Sequence, residues 1–275
     1  MPYLAPMPGR KSSIPEASPP LATRPCVWLI PAVAVCLLAV LLAGDYDRPL
    51  FLHLNALGTG TPDWVWADLT LLGNGGAAMA LALIAVYRRP GITAAVVYTA
   101  VITALASAAL KDLVDSTPPP GILGAAGIHL IGPGYTSHSF PSGHTATAFA
   151  LAGAVSLTFR RRWLTVALCT GAAAVGLSRI MVGVHWPVDV CGGAALGWLC
   201  AAAGVALAAR RAPAPAVQTA LAAPLYLAAA ALWWPHLTPY RDALPLQYAA
   251  AVISWAAGAA ALPRLLRRGK AGGGA

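Results

Sequence analysis

The sequence predicts an all-α, polytopic membrane protein built as a bundle of transmembrane helices. Of its 275 residues, 58% are hydrophobic and only 10% are charged, and the mean hydropathy is +0.68. This composition is too apolar for an ordinary soluble domain, so most of the chain is expected to lie in a bilayer. Apolar stretches of spanning length recur along the chain, and basic residues cluster between alternate stretches, which supports the same conclusion.

Eight apolar stretches are candidate spans. They cover residues 27–43, 66–87, 92–110, 145–159, 163–180, 190–208, 216–234 and 247–263. The fourth is short. The first could be read as a secretory signal, but a leader of about 25 residues is long for the polar part of such a signal and favours an uncleaved anchor. Because alanine is abundant, small side chains are expected to form much of the contact between helices.

The basic residues predict an orientation in the membrane. Of 18 lysines and arginines, 14 lie in the N-terminal tail, around residues 88–89, 160–162 and 210–211, or after residue 263. In an eight-span arrangement these segments share one side, which the positive-inside rule assigns to the cytoplasm. All eight aspartates and all six histidines fall on the other side or at its membrane edge, in agreement with this arrangement. Both termini are therefore expected in the cytoplasm.

The net charge of +9 is thus mostly a signal of cytoplasmic loops. A nucleic-acid-binding protein would need a basic face interleaved with aromatic residues, and these basic clusters merely flank spans. The five cysteines lie in or beside spans without CxxC spacing, which favours apolar packing over a metal site or a disulfide framework. Composition therefore excludes nucleic acid as a partner and gives no sign of a metal.

Four segments outside the spans, or within one, have a distinctive composition. Residues 1–25 and 266–275 are expected to be disordered cytoplasmic tails, since they are rich in Pro, Ser, Gly or basic residues and lack periodicity. The outer loop 112–144 is long and punctuated by Pro and Gly, which is typical of functional loops. Within the second stretch, LLGNGG at 71–76 predicts a kink or a close helix contact, with Asn74 bonded to a neighbouring helix.

Three pieces of sequence that carry ionisable groups converge on the outer side. They are Lys111 at the end of the third stretch, PSGH at 141–144 before the fourth, and SRIMVGVHWPVD at 178–189 between the fifth and sixth. Ionisable groups at membrane depth are costly and usually functional. In PSGH, Ser142 is a good N-cap, and Gly143 leaves the N–H groups of the starting helix open to an anion. This is the outline of a phosphate site, although a plain capping turn with a surface histidine fits equally well.

The third piece favours the phosphate interpretation. His185 and Asp189 are four residues apart, so the carboxylate can accept the imidazole N–H and leave the other ring nitrogen unprotonated as a nucleophile. Pro187 suits the first turn of a helix and predicts a helix start near residue 186. Arg179 offers a forked, permanently charged donor set that fits phosphate oxygens. The alternative is a His/Asp pair that only anchors the end of the helix.

These residues resemble the three signature motifs of the type 2 phosphatidic acid phosphatase (PAP2) superfamily, which includes bacterial membrane lipid phosphatases, undecaprenyl-diphosphatases and vanadium haloperoxidases. The matching residues are LK at 110–111, PSGH at 141–144, and SR at 178–179 followed by His185 and Asp189. The resemblance implies a PAP2-like core, residues 26–210, and leaves two additional transmembrane helices, residues 211–265, outside it. It also implies a bacterial lipid phosphatase that needs no cofactor or metal, with the bilayer and a membrane lipid as partners.

Carried over residue by residue, the resemblance implies that His185 attacks phosphorus to give a phosphohistidine and that Asp189 orients it. His144 would protonate the departing oxygen and then activate water. Lys111, Ser142, Gly143 and Arg179 would bind the phosphate oxygens. The expected substrate is a lipid phosphate monoester or diphosphate, such as a polyprenyl diphosphate, phosphatidic acid or phosphatidylglycerophosphate, hydrolysed at the outer face.

One position departs from the family pattern. The first motif has a lysine, six residues and then Arg-Pro, whereas this chain has Pro118 in place of the arginine and Pro119 after it. Proline can neither pair with charge nor donate a hydrogen bond, so a clamp on the phosphate is missing unless His129 or His138 replaces it. The alternatives to hydrolysis are transfer of phosphate to a second lipid, or a catalytically weakened scaffold or transporter that retains a decayed site.

Overall fold

The computed structural model describes residues 25–211 and 213–271, and the regular secondary structure in these ranges is helical, without a β-strand. The predicted N-terminal tail lies outside the described residues except for Pro25, which begins the first helix. The α-helices are α1 (Pro25–Ala43), α2 (Asp47–Gly58), α3 (Asp63–Leu72), α4 (Gly75–Arg88), α5 (Thr93–Val114), α6 (Pro119–Leu123), α7 (Gly143–Phe159), α8 (Arg162–Met181), α9 (Pro187–Arg210), α10 (Pro215–Leu221), α11 (Ala223–Ala231) and α12 (Leu244–Ala271). Since α12 continues to Ala271, the first part of the predicted C-terminal tail is helical, and the rest of that tail lies outside the described residues.

The all-α membrane bundle is confirmed, and each of the eight predicted stretches falls on helix. Within the described ranges, four helical segments are long and apolar enough to cross a membrane: Pro90–Leu123, Arg162–Met181, Pro187–Arg210 and Arg241–Arg267. Two bent pairs raise the number to six if each pair is one span; α1 and α2 meet at 107°, and α3 and α4 meet at 63°. The fourth predicted stretch forms α7, with 17 residues, and the seventh forms the short apolar segment Pro215–Ala231.

The predicted break in the second stretch is present at Gly73 and Asn74, between α3 and α4. A Cβ at Gly73 would lie 2.6 Å from Val175 Cγ1 and 2.9 Å from His144 Cβ, so glycine permits a close contact at this point, as predicted. The prediction for Asn74 was wrong. Its side chain accepts hydrogen bonds from the N–H groups of Gly76 and Ala77 and caps α4, because a helix that restarts needs partners for its own first donors.

Small residues hold the central helices in backbone contact, as the alanine content predicted. A Cβ at Gly197 of α9 would lie 2.1 Å from the carbonyl oxygen of Ala146 in α7. Farther along α9, a Cβ at Gly204 would lie 2.3 Å from Thr99 Oγ1 of α5. Because these positions leave no room for a side chain, the backbone of α9 lies directly against α7 at Gly197 and against α5 at Gly204.

The C-terminal helices attach to the bundle mainly through α4. The helices α10, α11 and α12 pack on one another, and α11 and α12 pack on α4. The buried Gln247 donates to the carbonyls of Leu232 and Trp234, and the hydroxyl of Tyr226 donates to Gly258 O at 2.7 Å. These bonds fix the connection between α11 and α12, which includes the loop before residue 244.

The helix α2 anchors the long loop that precedes α7. The buried side chain of Asn55 accepts from His129 N and donates to the carbonyls of His129, Ile180 and Met181 at 2.8–3.2 Å. One amide therefore ties the loop to the end of α8. This bond pattern brings the loop 115–142 over the end of the bundle where the predicted site residues lie.

We expect Gly197→Ala to lower the thermal unfolding midpoint of the detergent-purified protein, because the added methyl would overlap Ala146 and overpacking costs about 1–3 kcal/mol. The matched control is Gly171→Ala on α8, where nothing lies within 4 Å of an added Cβ. Nanoscale differential scanning fluorimetry of the two variants and the wild type measures the effect. Equal midpoints for Gly197→Ala and Gly171→Ala would show that α7 and α9 are not in backbone contact.

Candidate active site

The residues of the three motifs meet at one end of the bundle, where α5, α7 and α8 have an end and α9 begins. Lys111 lies near the end of α5, Gly143 and His144 lie at the start of α7, and Arg179 lies near the end of α8. His185 and Asp189 flank the start of α9. All seven predicted site residues therefore belong to one region, although they come from four helices and one connection.

The connection between α8 and α9 presents His185 beside Asp189. Gly183 has a φ of +83°, and a Cβ there would lie 2.6 Å from His129 O, so the turn requires glycine. Pro187 is the first residue of α9, which confirms the predicted start. The carboxylate of Asp189 accepts from Trp186 N at 2.8 Å and caps the helix, while His185 Nδ1 lies 3.3 Å from the same oxygen, Oδ2. Helix capping and histidine orientation thus share one carboxylate.

Ser139 joins this pair, and sequence reasoning did not find it. Its hydroxyl donates to Asp189 Oδ2 and lies 3.4 Å from His185 Nδ1, and its side chain is buried. The backbone N–H of Ser139 donates to Ser116 O at 2.9 Å, which fixes the serine against the segment after α5. The only signal in the sequence was the position of Ser139 three residues before Ser142.

The surroundings of His185 favour its neutral form. Burial lowers the pKa of His185 from its ordinary value of 6.5, and the hydrogen bond with Asp189 opposes this shift. With Nδ1 facing the carboxylate, the proton of the neutral ring belongs on Nδ1, and Nε2 carries the lone pair. At pH 7 the imidazole can therefore act as a nucleophile or a base through Nε2.

Ser142 is the N-cap of α7, as predicted. Its Oγ accepts from Thr145 N at 3.5 Å and from Thr145 Oγ1 at 2.9 Å, and its own N–H donates to Asp189 O at 3.0 Å. Next to it, Gly143 has open space, since the atom nearest to an added Cβ is Ser107 Oγ at 3.9 Å. The N-terminus of α7 therefore faces a space that can receive an anion.

Arg179 is buried, 2% exposed, and is held by two hydroxyl groups. Its Nη1 donates to Thr70 Oγ1 at 3.2 Å and to the Tyr240 hydroxyl at 3.1 Å. Within the described ranges its buried Nε has no hydrogen-bond acceptor. Neither partner was predicted; Thr70 lies in the second apolar stretch, and Tyr240 lies in the loop between the two C-terminal stretches, to which the sequence assigned no chemistry.

The rings of both histidines proposed as substitutes for the missing arginine lie beside carboxylates. His129 Nε2 lies 3.0 Å from Asp63 Oδ1. The ring of His138 lies 3.8 Å from Asp112 and 3.7 Å from Asp115. What His138 does contribute is its backbone carbonyl, which accepts a hydrogen bond from Lys111 Nζ. The segment with Pro118 lies close by, since Thr117 O accepts from the indole N–H of Trp186.

A cavity of about 610 Å³ extends from the site into the bundle. At one end it is lined by Lys111, Gly143 and His144, and it continues between α4, α5 and α7 as far as Val96 and Ala154. Most of its wall is alanine, glycine, valine, leucine and methionine, with the hydroxyl residues Thr99, Thr103, Ser107 and Thr147 among them. The site therefore opens into an apolar space within the helices.

Comparison with known proteins places these motifs in a family. Residues 92–213 match the model of the PAP2 superfamily. Two curated relatives are a lipid A 1-phosphatase of Porphyromonas gingivalis, 48% identical over 68 residues, and an undecaprenyl-diphosphatase of Sulfolobus acidocaldarius, 40% identical over 73 residues. These segments cover 24% and 26% of this chain but only 15% and 34% of the relatives, so the chain spans about a third or less of their length.

Longer matches extend over most of the core. A lipid A 1-phosphatase of Rhizobium johnstonii is 29% identical over 199 residues, which are 65% of this chain and 78% of the relative. The crystal structure of Aquifex aeolicus LpxE superposes with a TM-score of 0.51 and 28% identity, covering 58% of this chain and 94% of that one. The resemblance drawn from the three motifs is confirmed: residues 92–213 form a domain of the PAP2 superfamily.

Proposed function

We propose that the protein is a membrane lipid phosphatase that works through a phosphohistidine on His185 and needs no metal. The observation that carries the proposal is the buried arrangement of His185, Asp189 and Ser139, together with an apolar cavity that starts at His144 and Lys111. A neutral, oriented imidazole suits nucleophilic attack. A cavity inside a membrane bundle suits a substrate that is a lipid.

In the proposed reaction, His185 Nε2 attacks phosphorus and forms a P–N bond while the bond from phosphorus to the leaving oxygen breaks. His144 gives a proton to that oxygen. His144 then takes a proton from water, whose oxygen attacks phosphorus, and the P–N bond breaks to release inorganic phosphate and free His185. Asp189 accepts the Nδ1–H throughout and stabilises the positive charge that develops on the ring during attack.

The phosphate oxygens would be bound by donors on three elements. Arg179 offers its Nε, which has no acceptor among the described residues, and Lys111 offers its ammonium group. The first N–H groups of α7, at Gly143, point outward from a helix N-terminus. The Ser142 hydroxyl accepts two hydrogen bonds from Thr145 and keeps its own proton available to donate. Such fixed donors stabilise the charge that builds up on the equatorial oxygens in the transition state.

The cavity supports a substrate with a long hydrocarbon chain. From Lys111 to Val96 it follows α5 for 15 residues, which is about 22 Å at 1.5 Å per residue. An acyl or prenyl chain could lie along it while the phosphate group meets His185. Polyprenyl diphosphate, phosphatidic acid and phosphatidylglycerophosphate fit this description, and the names of the relatives add lipid A 1-phosphate to the candidates.

We propose that the site faces the extracytoplasmic side of the cell membrane, with both termini in the cytoplasm. The support is the distribution of charge: the basic loops near residues 88, 161 and 210 lie at the end of the helices opposite His185. Labelling of single cysteines introduced at Ser137 and at Arg161 with a membrane-impermeant maleimide, in intact cells of a variant without native cysteines, tests this. Labelling at Arg161 and protection at Ser137 would reverse the proposed orientation.

His185→Ala should reduce phosphate release by at least about 10³-fold, because the nucleophile is lost. Detergent-purified protein is assayed with chelator present against the four lipids named above, and inorganic phosphate is measured. The control is His53→Ala, since His53 is an exposed histidine on α2. Release that survives His185→Ala would overturn the mechanism. Phosphorylated acceptor lipid in place of free phosphate would identify a phosphotransferase.

The pH dependence should report the protonation of His185. Because burial lowers its pKa below 6.5, the acid limb of kcat/KM, where the ring gains a proton, should lie below pH 6.5. The limb at higher pH belongs to the proton that His144 must carry to act as the acid. Asp189 raises this pKa, so Asp189→Asn should move the acid limb to lower pH and reduce kcat by about 10²–10⁴-fold. A limb that stays in place, or moves to higher pH, would show that another group titrates.

A bulky side chain in the cavity should discriminate between substrates by chain length. Ala104→Phe, which fills part of the cavity, should lower kcat/KM for a long-chain lipid by about 10- to 100-fold and leave a short-chain soluble analogue unchanged. Leu105→Phe is the control, since Leu105 lies on the same helix, is 68% exposed and does not line the cavity. Equal losses for long and short substrates would place the hydrocarbon chain elsewhere.

A further inference from the structure

We propose that Tyr240 is a positioning residue of the active site: it holds Arg179 in the orientation that binds phosphate. Tyr240 lies in the loop before α12, outside the segment 92–213 that matches the family. The C-terminal helices would thereby complete a site whose motifs all lie in the core. This inference rests on the proposed function, because it assigns to Arg179 the task of binding the phosphate group.

The contact itself has a fixed direction. Arginine has donors and no acceptor, so in the 3.1 Å contact Nη1 donates and the Tyr240 oxygen accepts. The same Nη1 donates to Thr70 Oγ1 at 3.2 Å. Both acceptors come from outside residues 92–213, one from α3 and one from the C-terminal loop. Together they engage one nitrogen of the guanidinium group and leave Nε to another acceptor.

Thr70 is held in place by a chain of hydroxyl groups. The Ser178 hydroxyl donates to Val175 O at 2.7 Å, so in its 2.8 Å contact with Thr70 it acts as the acceptor. Thr70 therefore donates to Ser178 and accepts from Arg179. The chain runs from the guanidinium to the backbone of α8, and each hydrogen bond polarises the next one.

Tyr240 is held in place by packing and by its backbone. It is 4% exposed and lies against Gly132, where φ is +78° and an added Cβ would lie 2.8 Å from the tyrosine ring. Its N–H donates to Thr238 Oγ1 at 3.2 Å, and its carbonyl accepts from Ala243 N at 3.2 Å. The tyrosine ring is thus fixed against the loop before α7, and the two hydrogen bonds fix the backbone of Tyr240 in the loop before α12.

Fixing one nitrogen of a planar guanidinium group fixes the direction of the others. With Nη1 bound to two rigid acceptors, the buried Nε points in a set direction before the substrate arrives, so less freedom is lost on binding. The effect is important in a chain that has Pro118 where the family has an arginine. The remaining arginine must then carry a larger share of the phosphate charge, and its orientation matters more.

The test compares Tyr240→Phe with Tyr226→Phe. The first variant removes the hydroxyl and keeps the ring that packs on Gly132. The second removes a hydroxyl that binds Gly258 O at 2.7 Å, also in the C-terminal helices and without contact to Arg179. Tyr240→Phe should lower kcat/KM about tenfold, the order expected for one hydrogen bond to a charged group. It should also weaken binding of inorganic phosphate by a similar factor, measured as product inhibition and as a phosphate-induced thermal shift.

Two further measurements separate positioning from general stability. The thermal unfolding midpoint without phosphate should be the same for Tyr240→Phe and Tyr226→Phe. In an Arg179→Ala background, Tyr240→Phe should have no further effect on kcat/KM, because the residue acts through Arg179. Equal losses in the two Tyr→Phe variants, or additive losses in the double variant, would overturn the assignment.

The outcome also distinguishes failure of this inference from failure of the proposed function. If the wild type shows no His185-dependent phosphate release, the proposed function fails, and the phosphate-induced thermal shift still tests Tyr240. If release depends on His185 while Tyr240→Phe leaves both kcat/KM and phosphate affinity unchanged, the function stands and the role of Tyr240 is wrong.

Discussion

The rest of the site depends on the hydrogen bonds that converge on one carboxylate oxygen, Asp189 Oδ2. It accepts from Trp186 N and from Ser139, and it faces Nδ1 of His185 at 3.3 Å. A buried carboxylate is stable only when donors surround it, so each donor is also held by the carboxylate. This one carboxylate consequently fixes three features: the start of α9, the path of the loop before α7 and the tautomer of His185.

That convergence requires α7 and α9 to approach each other closely at the same end. A Cβ at Gly193 would lie 2.6 Å from Ser142 O, and one at Gly197 would lie 2.1 Å from Ala146 O. Two motifs distant in sequence therefore meet through backbone contact rather than through long side chains. The bond from Ser142 N to Asp189 O, at 3.0 Å, is possible only at this separation. The small residues of the bundle thus contribute to the geometry of the candidate site as well as to helix packing.

The sequence predicted the parts of the site that are local. The N-cap at Ser142, the helix start at Pro187 and the i,i+4 pair of His185 and Asp189 each depend on neighbouring residues, and the structure shows all three. Ser139, Thr70 and Tyr240 could not be found in the same way. Their partners lie 50, 109 and 61 residues away, so the contacts depend on how the whole chain is routed.

The limits of the fold prediction have a similar cause. Hydropathy located helix in all eight stretches, and the glycines at 71–76 predicted an interruption of the second one, but neither showed that Gly73 passes close to His144. Asn74 was expected to bond across helices, yet the break creates unpaired N–H groups beside it, and the side chain caps those instead. The side chain of Asn74 therefore bonds to the N–H groups at the start of its own helix instead of to a neighbouring helix.

The two cations of the site bond to neutral acceptors, and this arrangement suits an anionic ligand. Arg179 donates to two hydroxyl groups and Lys111 to a carbonyl, and in the described part of the chain neither cation pairs with a carboxylate. Asp189, the one buried acid among the described residues, is instead used by His185, Trp186 and Ser139. Neutral acceptors hold the cations in position without cancelling their charge. An uncompensated positive charge beside an apolar bundle is costly.

A phosphate group would relieve that cost, and it would do so most when its negative charge is greatest, in the transition state. The same two cations act on His185 as well. After burial, which is the larger cause, the charges of Arg179 and Lys111 also lower the pKa of His185 and oppose its protonation. Had carboxylates neutralised these cations, the anion would have to displace them and the imidazole would gain a proton more readily. Keeping the cations free of acidic partners would therefore serve the proposed phosphate binding and the proposed nucleophile, His185, at the same time.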